Sequence, residues 1–267
     1  MAESNIGTSV PLQRICIRLV WLAPVTLTFL LFINGQLSPD AGSTTLPLIR
    51  IDPRQSQMAC AFVYLPTILH RCREVITDIC LKMETGMADF AHRVATSTTA
   101  PYLTSIEEYH LYCHYVAGLV GEGLSRLFAM TKKERPWIAD QLVPSNSMGL
   151  LLQKTNILRN FREDCDKGRY FWPREIWGAY GFSKPEEMTA TGSDAQKRAM
   201  WVLSHMTLIA LGHVVDALDY LTMLHNQSVF NFVAIPATMA IATLALCFMN
   251  AEVFQRMSRF ARGKQSM

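Results

Sequence analysis

The sequence predicts an all-α fold, and three observations carry the prediction. Between Thr67 and Phe90 the apolar residues Ile68, Leu69, Cys72, Val75, Ile76, Ile79, Cys80 and Met83 recur at threes and fours, the period of one helical face. The same period runs from Asp194 to Leu224 through Met200, Leu203, Met206, Leu208, Leu211, Val214, Val215, Leu218 and Leu221. Half of the 267 residues are hydrophobic, only 18% are charged, and mean hydropathy is +0.14. That balance fits a helical bundle with a deep apolar cavity or some membrane contact.

Charge and cysteine usage exclude several functions. A net charge of +3 is too small to argue for nucleic acid, and Lys132, Lys133 and Arg135 form only a short loop-like cluster. Seven cysteines without a C-x-x-C pair read as reduced thiols. His110 and His114 lie one turn apart beside Glu107 and Glu108, but the order is wrong for a zinc-binding H-E-x-x-H helix. A structural or surface role is expected for them.

Taken in order, the chain divides into an N-terminal segment, residues 1–57, and a helical domain, residues 58–267. Leu19 to Ile33 is an uncharged stretch after Arg14 and Arg18, short of the roughly 20 residues that a spanning helix needs and interrupted by Pro24. It reads as a weak anchor, as a core helix or as a divergent segment. Leu37 to Gln57 is a linker or irregular loop. After the first helix, Thr96 to Ser105 is a loop whose Ser105 N-caps the next helix, with Glu108 completing a capping box. That helix carries Tyr112, Tyr115, Val116, Leu119 and Leu124. It also holds Gly118, Gly121 and Gly123, each costing about 1 kcal/mol against alanine. Close helix packing or room for a long ligand chain would justify them.

The richest stretch runs from Asn146 to Trp177. Gln153, Asn156, Asn160 and Asp164 follow at three, four and four, one polar stripe on a helix otherwise buried by Leu150, Leu151, Leu152, Ile157, Leu158 and Phe161. A polar stripe facing an internal cavity costs free energy unless something binds it. Its oxygens suit Mg2+, and Arg159 and Arg169 suit an anion, so a metal-bridged phosphate is expected. The bland alternative is a solvated helix end, Arg159 to Lys167, stopping near Gly168. Pro173 then suits a loop and a new helix. Asp216 and Asp219 read as structural. Val229 to Met249 carries no charge and is long enough for a membrane span, but Asn231 and Pro236 suit a cavity-lining helix better.

Three blocks carry a resemblance. LQKTNILRN (Leu152 to Asn160) with N-x-x-E-D (Asn160, Glu163, Asp164) and GRYFWP (Gly168 to Pro173) form the first. YCHYVAGLVGEGLSRLF (Tyr112 to Phe128) and NQSVFNFVAIPATMAIATLAL (Asn226 to Leu246) are the others. In this order they resemble the squalene synthase family, over about residues 62 to 262.

The resemblance implies an isoprenoid (terpenoid) synthase helical bundle, incomplete relative to the family. It implies condensation of two farnesyl diphosphates through presqualene diphosphate to squalene, with Mg2+ and NADPH, in a sterol or specialised pathway. Tyr112 would be catalytic. Gln153, Asn156, Arg159, Arg169, Phe232 and Pro236 would bind substrate, and Asn160, Glu163 and Asp164 would hold metal. A cytosol-facing location at the endoplasmic reticulum membrane, or in the cytoplasm without an anchor, and a monomeric state follow as expectations. The family's first acidic motif has no counterpart in residues 1–100, where Asp40, Asp52, Asp78 and Asp89 stand isolated, and Asn160 replaces an Asp. A non-catalytic paralogue that binds isoprenoid diphosphate or a partner synthase is therefore the alternative.

Overall fold

The computed structural model describes residues 70–96, 103–130, 134–190 and 192–255. The stretch Leu19 to Ile33, the 37–57 linker, Lys132 and Lys133 lie outside them. Contacts divide the chain into two compact units, residues 1–74 and 75–267, and nearly all described residues belong to the second.

Among the described residues there are helices and no β-strand. They are α1 (His70–Thr96), α2 (Ile106–Cys113), α3 (Leu119–Met130), α4 (Leu142–Arg159), α5 (Phe161–Asp166), α6 (Arg174–Ala179), α7 (Ser193–Leu211), α8 (Val214–Met223) and α9 (Gln227–Cys247), with short 3-10 turns between some of them. A π-helical turn, His114–Gly118, joins α2 to α3.

Helix α4 is the hub. It packs against the π turn, α3, α7, α8 and α9, and buries Leu150, Leu151, Ile157 and Leu158. The glycines of the second block explain how α4 comes so near. A Cβ on Gly121 would stand 2.1 Å from the Ser145 carbonyl oxygen, and one on Gly149 would stand 2.3 Å from that of Ala117. Gly123 faces Ile79 of α1 in the same way. The glycine face is filled by protein. Of the two reasons the sequence allowed, close helix packing is the one realised, and the reading as room for a ligand chain is corrected.

Ser105 caps α2, its Oγ accepting from Glu108 N at 3.1 Å. The Glu108 carboxylate reaches one residue further than a capping box predicts, accepting from Thr104 N and Thr104 Oγ1. The run from Asp194 to Leu224 is two helices and not one. Its apolar period continues across Gly212 and His213, but the chain tightens there, with His213 N donating to Ala210 O at 3.2 Å. Buried Glu134 then secures the turn into α9, accepting from the backbone N–H groups of His225 and Asn226 at 2.8 Å each. The Asn226 side chain caps α9 through Ser228 N and Val229 N.

Helix α9 buries Val229, Val233, Ala237, Ala240 and Leu244 against α4, α7 and α8, while Ile235, Met239 and Leu246 face outward. Among the described residues, 194–223 and 227–247 are long and apolar enough to cross a membrane by length and composition. Core helices meet the same test.

Candidate active site

The polar stripe forms, with a break in it. Helix α4 ends at Arg159, and Asn160 sits at φ −96°, ψ 10°, outside helical geometry. Helix α5 resumes at once because Asp164 N donates to Asn160 O at 2.9 Å. Asn156 is the hub of the stripe's upper half: its Oδ1 accepts from Arg159 Nη2 at 2.9 Å and from Asn160 Nδ2 at 3.0 Å. Gln153, Asn156 and Asn160 are half-buried and only Asp164 is buried. The stripe is therefore half-buried along α4 and buried at Asp164.

Asp164 and Arg169 are held together by the backbone between them. Gly168 takes φ +64°, a conformation that glycine enters without strain, and the chain reverses there. Arg169 N then donates to Asp164 O at 2.8 Å, and its Nη2 to Asp164 Oδ1 at 2.5 Å. Glu163 pairs with Lys167. The GRYFWP segment is pinned by Trp172, whose buried ring lies 4.3 Å from that of Phe161 and 6.1 Å from that of Phe254. Trp177 adds an Nε1 bond to Trp172 O at 3.0 Å.

Pinning this segment places Phe171 on Tyr112. The two rings stack at 5.3 Å and 28°, and Phe90 of α1 meets Tyr112 edge-on at 5.4 Å. A hollow of about 10 Å³, space for about one water molecule, opens beside them, lined by Ile157, Phe161, Asp164, Arg169, Phe171 and Trp172 among others. Tyr112, Phe171, Arg169 and Asp164 thus follow one another around one region. Phe232 is elsewhere, edge-on to Phe128 of α3 at 6.4 Å, with Pro236 one turn further along α9.

No group of three His, Cys, Asp or Glu residues is arranged for a metal among the described residues. The donors on the α4–α5 face nonetheless fit Mg2+ in kind, since Asn160, Glu163 and Asp164 offer hard oxygens and no thiolate or imidazole. The thiols of Cys113 and Cys165 are pushed up to about 12 by burial, so they stay neutral. Asp78 is held by Lys82 and Arg126, Arg126 hydrogen bonding first among the causes that lower its pKa.

Sequence reading missed one cluster. Lys154 is fully buried and reaches His110 and His213, both half-buried. A signal existed, because Lys154 falls on the apolar face with Leu150, Leu151, Ile157 and Leu158. Burial lowers the Lys154 pKa to about 8, and burial followed by the Lys154 charge lowers that of His213 to about 4. Between pH 6.5 and about 4 the unfolded chain takes up a proton that folded His213 refuses. The stability this histidine contributes is complete above pH 6.5 and lost as pH falls through that window. Thermal melts across the window should show Tm falling with pH, and His213→Gln should flatten the fall.

The fold and this face define a helical-bundle protein with an oxygen-rich polar face beside arginine and aromatic side chains. Residues 47–260 match the squalene/phytoene synthase family model. The chain belongs to that family. It is 52% identical over 202 residues to the squalene synthase of Ganoderma lucidum, covering 72% of this chain and 43% of the relative. With the mouse (Mus musculus) squalene synthase it shares 44% over 202 residues, covering 74% and 45%. A solved complex of TcSQS with the ligand E5700 superposes with a TM-score of 0.67 at 41% identity, over 74% of this chain and 55% of that one. The chain spans less than half the length of these curated relatives.

Proposed function

We propose that the chain is a squalene synthase-like transferase that condenses two farnesyl diphosphates through presqualene diphosphate to squalene. The observation that supports it best is the sequence of side chains Tyr112, Phe171, Arg169 and Asp164 around one region. Ionising an allylic diphosphate needs cationic groups on the leaving group and a water-poor aromatic wall for the carbocation. Arg159 and Arg169 supply the first, and Phe171 with the Tyr112 ring the second. Gln153 and Asn156 orient phosphate oxygens, and the Tyr112 hydroxyl handles the proton. Asn160, Glu163 and Asp164 would hold Mg2+, which neutralises the departing diphosphate when bound. Phe232 and Pro236 would line the path of the hydrocarbon. The reductive second step would take its hydride from NADPH when that cofactor is bound. Membrane association at the endoplasmic reticulum belongs to the same reading.

The test is incubation with labelled farnesyl diphosphate, Mg2+ and NADPH, separating hydrocarbon, presqualene diphosphate and farnesol. Squalene is the expected product. Tyr112→Phe keeps the stacking on Phe171 and should lower kcat by on the order of a hundredfold or more, with little change in Tm. Magnesium-dependent binding without turnover would instead identify a non-catalytic paralogue.

A further inference from the structure

Lys154 takes no part in the chemistry above, yet it is the most deeply buried cation among the described residues. Its Nζ lies 2.9 Å from His110 Nδ1 and 2.7 Å from His213 Nε2, with the Tyr109 ring centroid 5.3 Å away. An ammonium has three protons and no lone pair, so it donates to both imidazoles and leaves its third proton for the ring face. Both histidines must then be neutral, with His110 protonated on Nε2 and His213 on Nδ1.

We propose that Lys154 is a positioning residue for Tyr112, locking the roll of α2 about its own axis. The proposal rests on the reading of Tyr112 as the proton-handling residue. Successive helical residues are set about 100° apart, so Tyr112 lies about 200° round from His110. Drawing His110 onto α4 therefore directs Tyr112 away from α4, toward Phe171 and Phe90, where it is found. A second tie one turn on, His114 Nδ1 to Asn146 Oδ1 at 2.7 Å, fastens the same face. Helix α2 runs on through the π turn into α3, so the two ties hold the N-terminal end of that continuous helix against α4. The bond to His213 anchors the ammonium to the α7–α8 junction, so that it is not free to follow α2.

The titratable groups around Lys154 are Tyr109, His110, Cys113 and, beside His110, Glu107 from α2, with His213 and Asp216 from the α7–α8 junction. Burial raises the Tyr109 and Cys113 values and lowers those of both histidines. Near pH 8 Lys154 is thus the member of the cluster whose charge changes.

The experiment is 13C NMR of the full chain labelled with tyrosine carrying 13C at Cδ, which leaves the phenol's acidity unaltered, the Tyr112 resonance being assigned with Tyr112→Phe. That resonance should titrate with a midpoint near pH 8 in the parent and lose the titration in Lys154→Met. Lys154→Met should also lower kcat on farnesyl diphosphate by on the order of ten- to a hundredfold at unchanged KM, with partial recovery in Lys154→Arg. A Tyr112 resonance that does not move between about pH 7 and 9 overturns the proposal, as does a folded Lys154→Met with unchanged resonance and kcat. Should Lys154→Met not fold, His213→Gln decides: a displaced Tyr112 resonance supports the lock, an undisplaced one overturns it. A parent without turnover sinks the synthase reading alone, because the resonance is measured without substrate.

Discussion

Asp164→Ala is expected to abolish turnover of farnesyl diphosphate, with kcat/KM falling on the order of a thousandfold. Two losses combine. The substitution removes a proposed Mg2+ ligand, and it releases Arg169, whose Nη2 bond to Asp164 Oδ1 is what keeps the guanidinium over the hollow. Asp164 is buried whereas its partner is part exposed, so the freed arginine can reach solvent and the stability cost should stay near ~2 kcal/mol. Asp164→Asn separates the two losses. It retains an oxygen for Arg169 and should melt within a few degrees of the parent, yet with reduced Mg2+-dependent turnover. Product analysis and thermal melts on the pair would check this, and parent-like turnover in Asp164→Ala would remove Asp164 from the site.

Gly149→Val should have the largest effect on stability. A Cβ at that position would stand 2.3 Å from the Ala117 carbonyl oxygen and 2.6 Å from its carbon, both backbone atoms that no rotamer change can move. Relief requires α4 to separate from the π turn, and α4 also packs against α2, α3, α7, α8 and α9. Overpacking of this kind costs about 1–3 kcal/mol where neighbours can give way and more where they cannot. Valine adds a β-branch to the same clash, so a loss above ~3 kcal/mol is expected. Urea denaturation would read it as a lower midpoint with an unchanged slope. A parent-like midpoint would mean that the two helices do not lie this close.

What the sequence revealed, and what it concealed, follows from the range of each interaction. The periods of α1, α4, α7 and α8 were legible because a helical face repeats every three or four residues. The breaks at Asn160 and at Gly212 were not, since the apolar and polar spacings continue through both. The pairing of Arg169 with Asp164 was half visible: the arginine was singled out for an anion, and Gly168 marked the turn that folds it back. Lys154 and His213 are separated by 59 positions, and only the packing of α4 on the α7–α8 junction joins them. Pattern alone gave Lys154 as an oddity on an apolar face. How deeply the polar stripe is buried was not legible for a related reason, because burial of a stripe depends on what stands opposite it, and local spacing carries no record of that.

The π turn at His114–Gly118 has a consequence for sequence length. A turn closed by i to i+5 bonds holds one residue more than an α-turn, so it offsets the rotational phase of everything before it by about 100°. The histidine face of α2 and the glycine face of α3 both meet α4 across that offset. Insertions and deletions between Tyr112 and Gly121 are therefore not neutral adjustments of a connector. Removing a single residue there would regularise the hydrogen bonding, leave helix content intact, and turn Tyr112 off its aromatic partners by more than a quarter of a revolution.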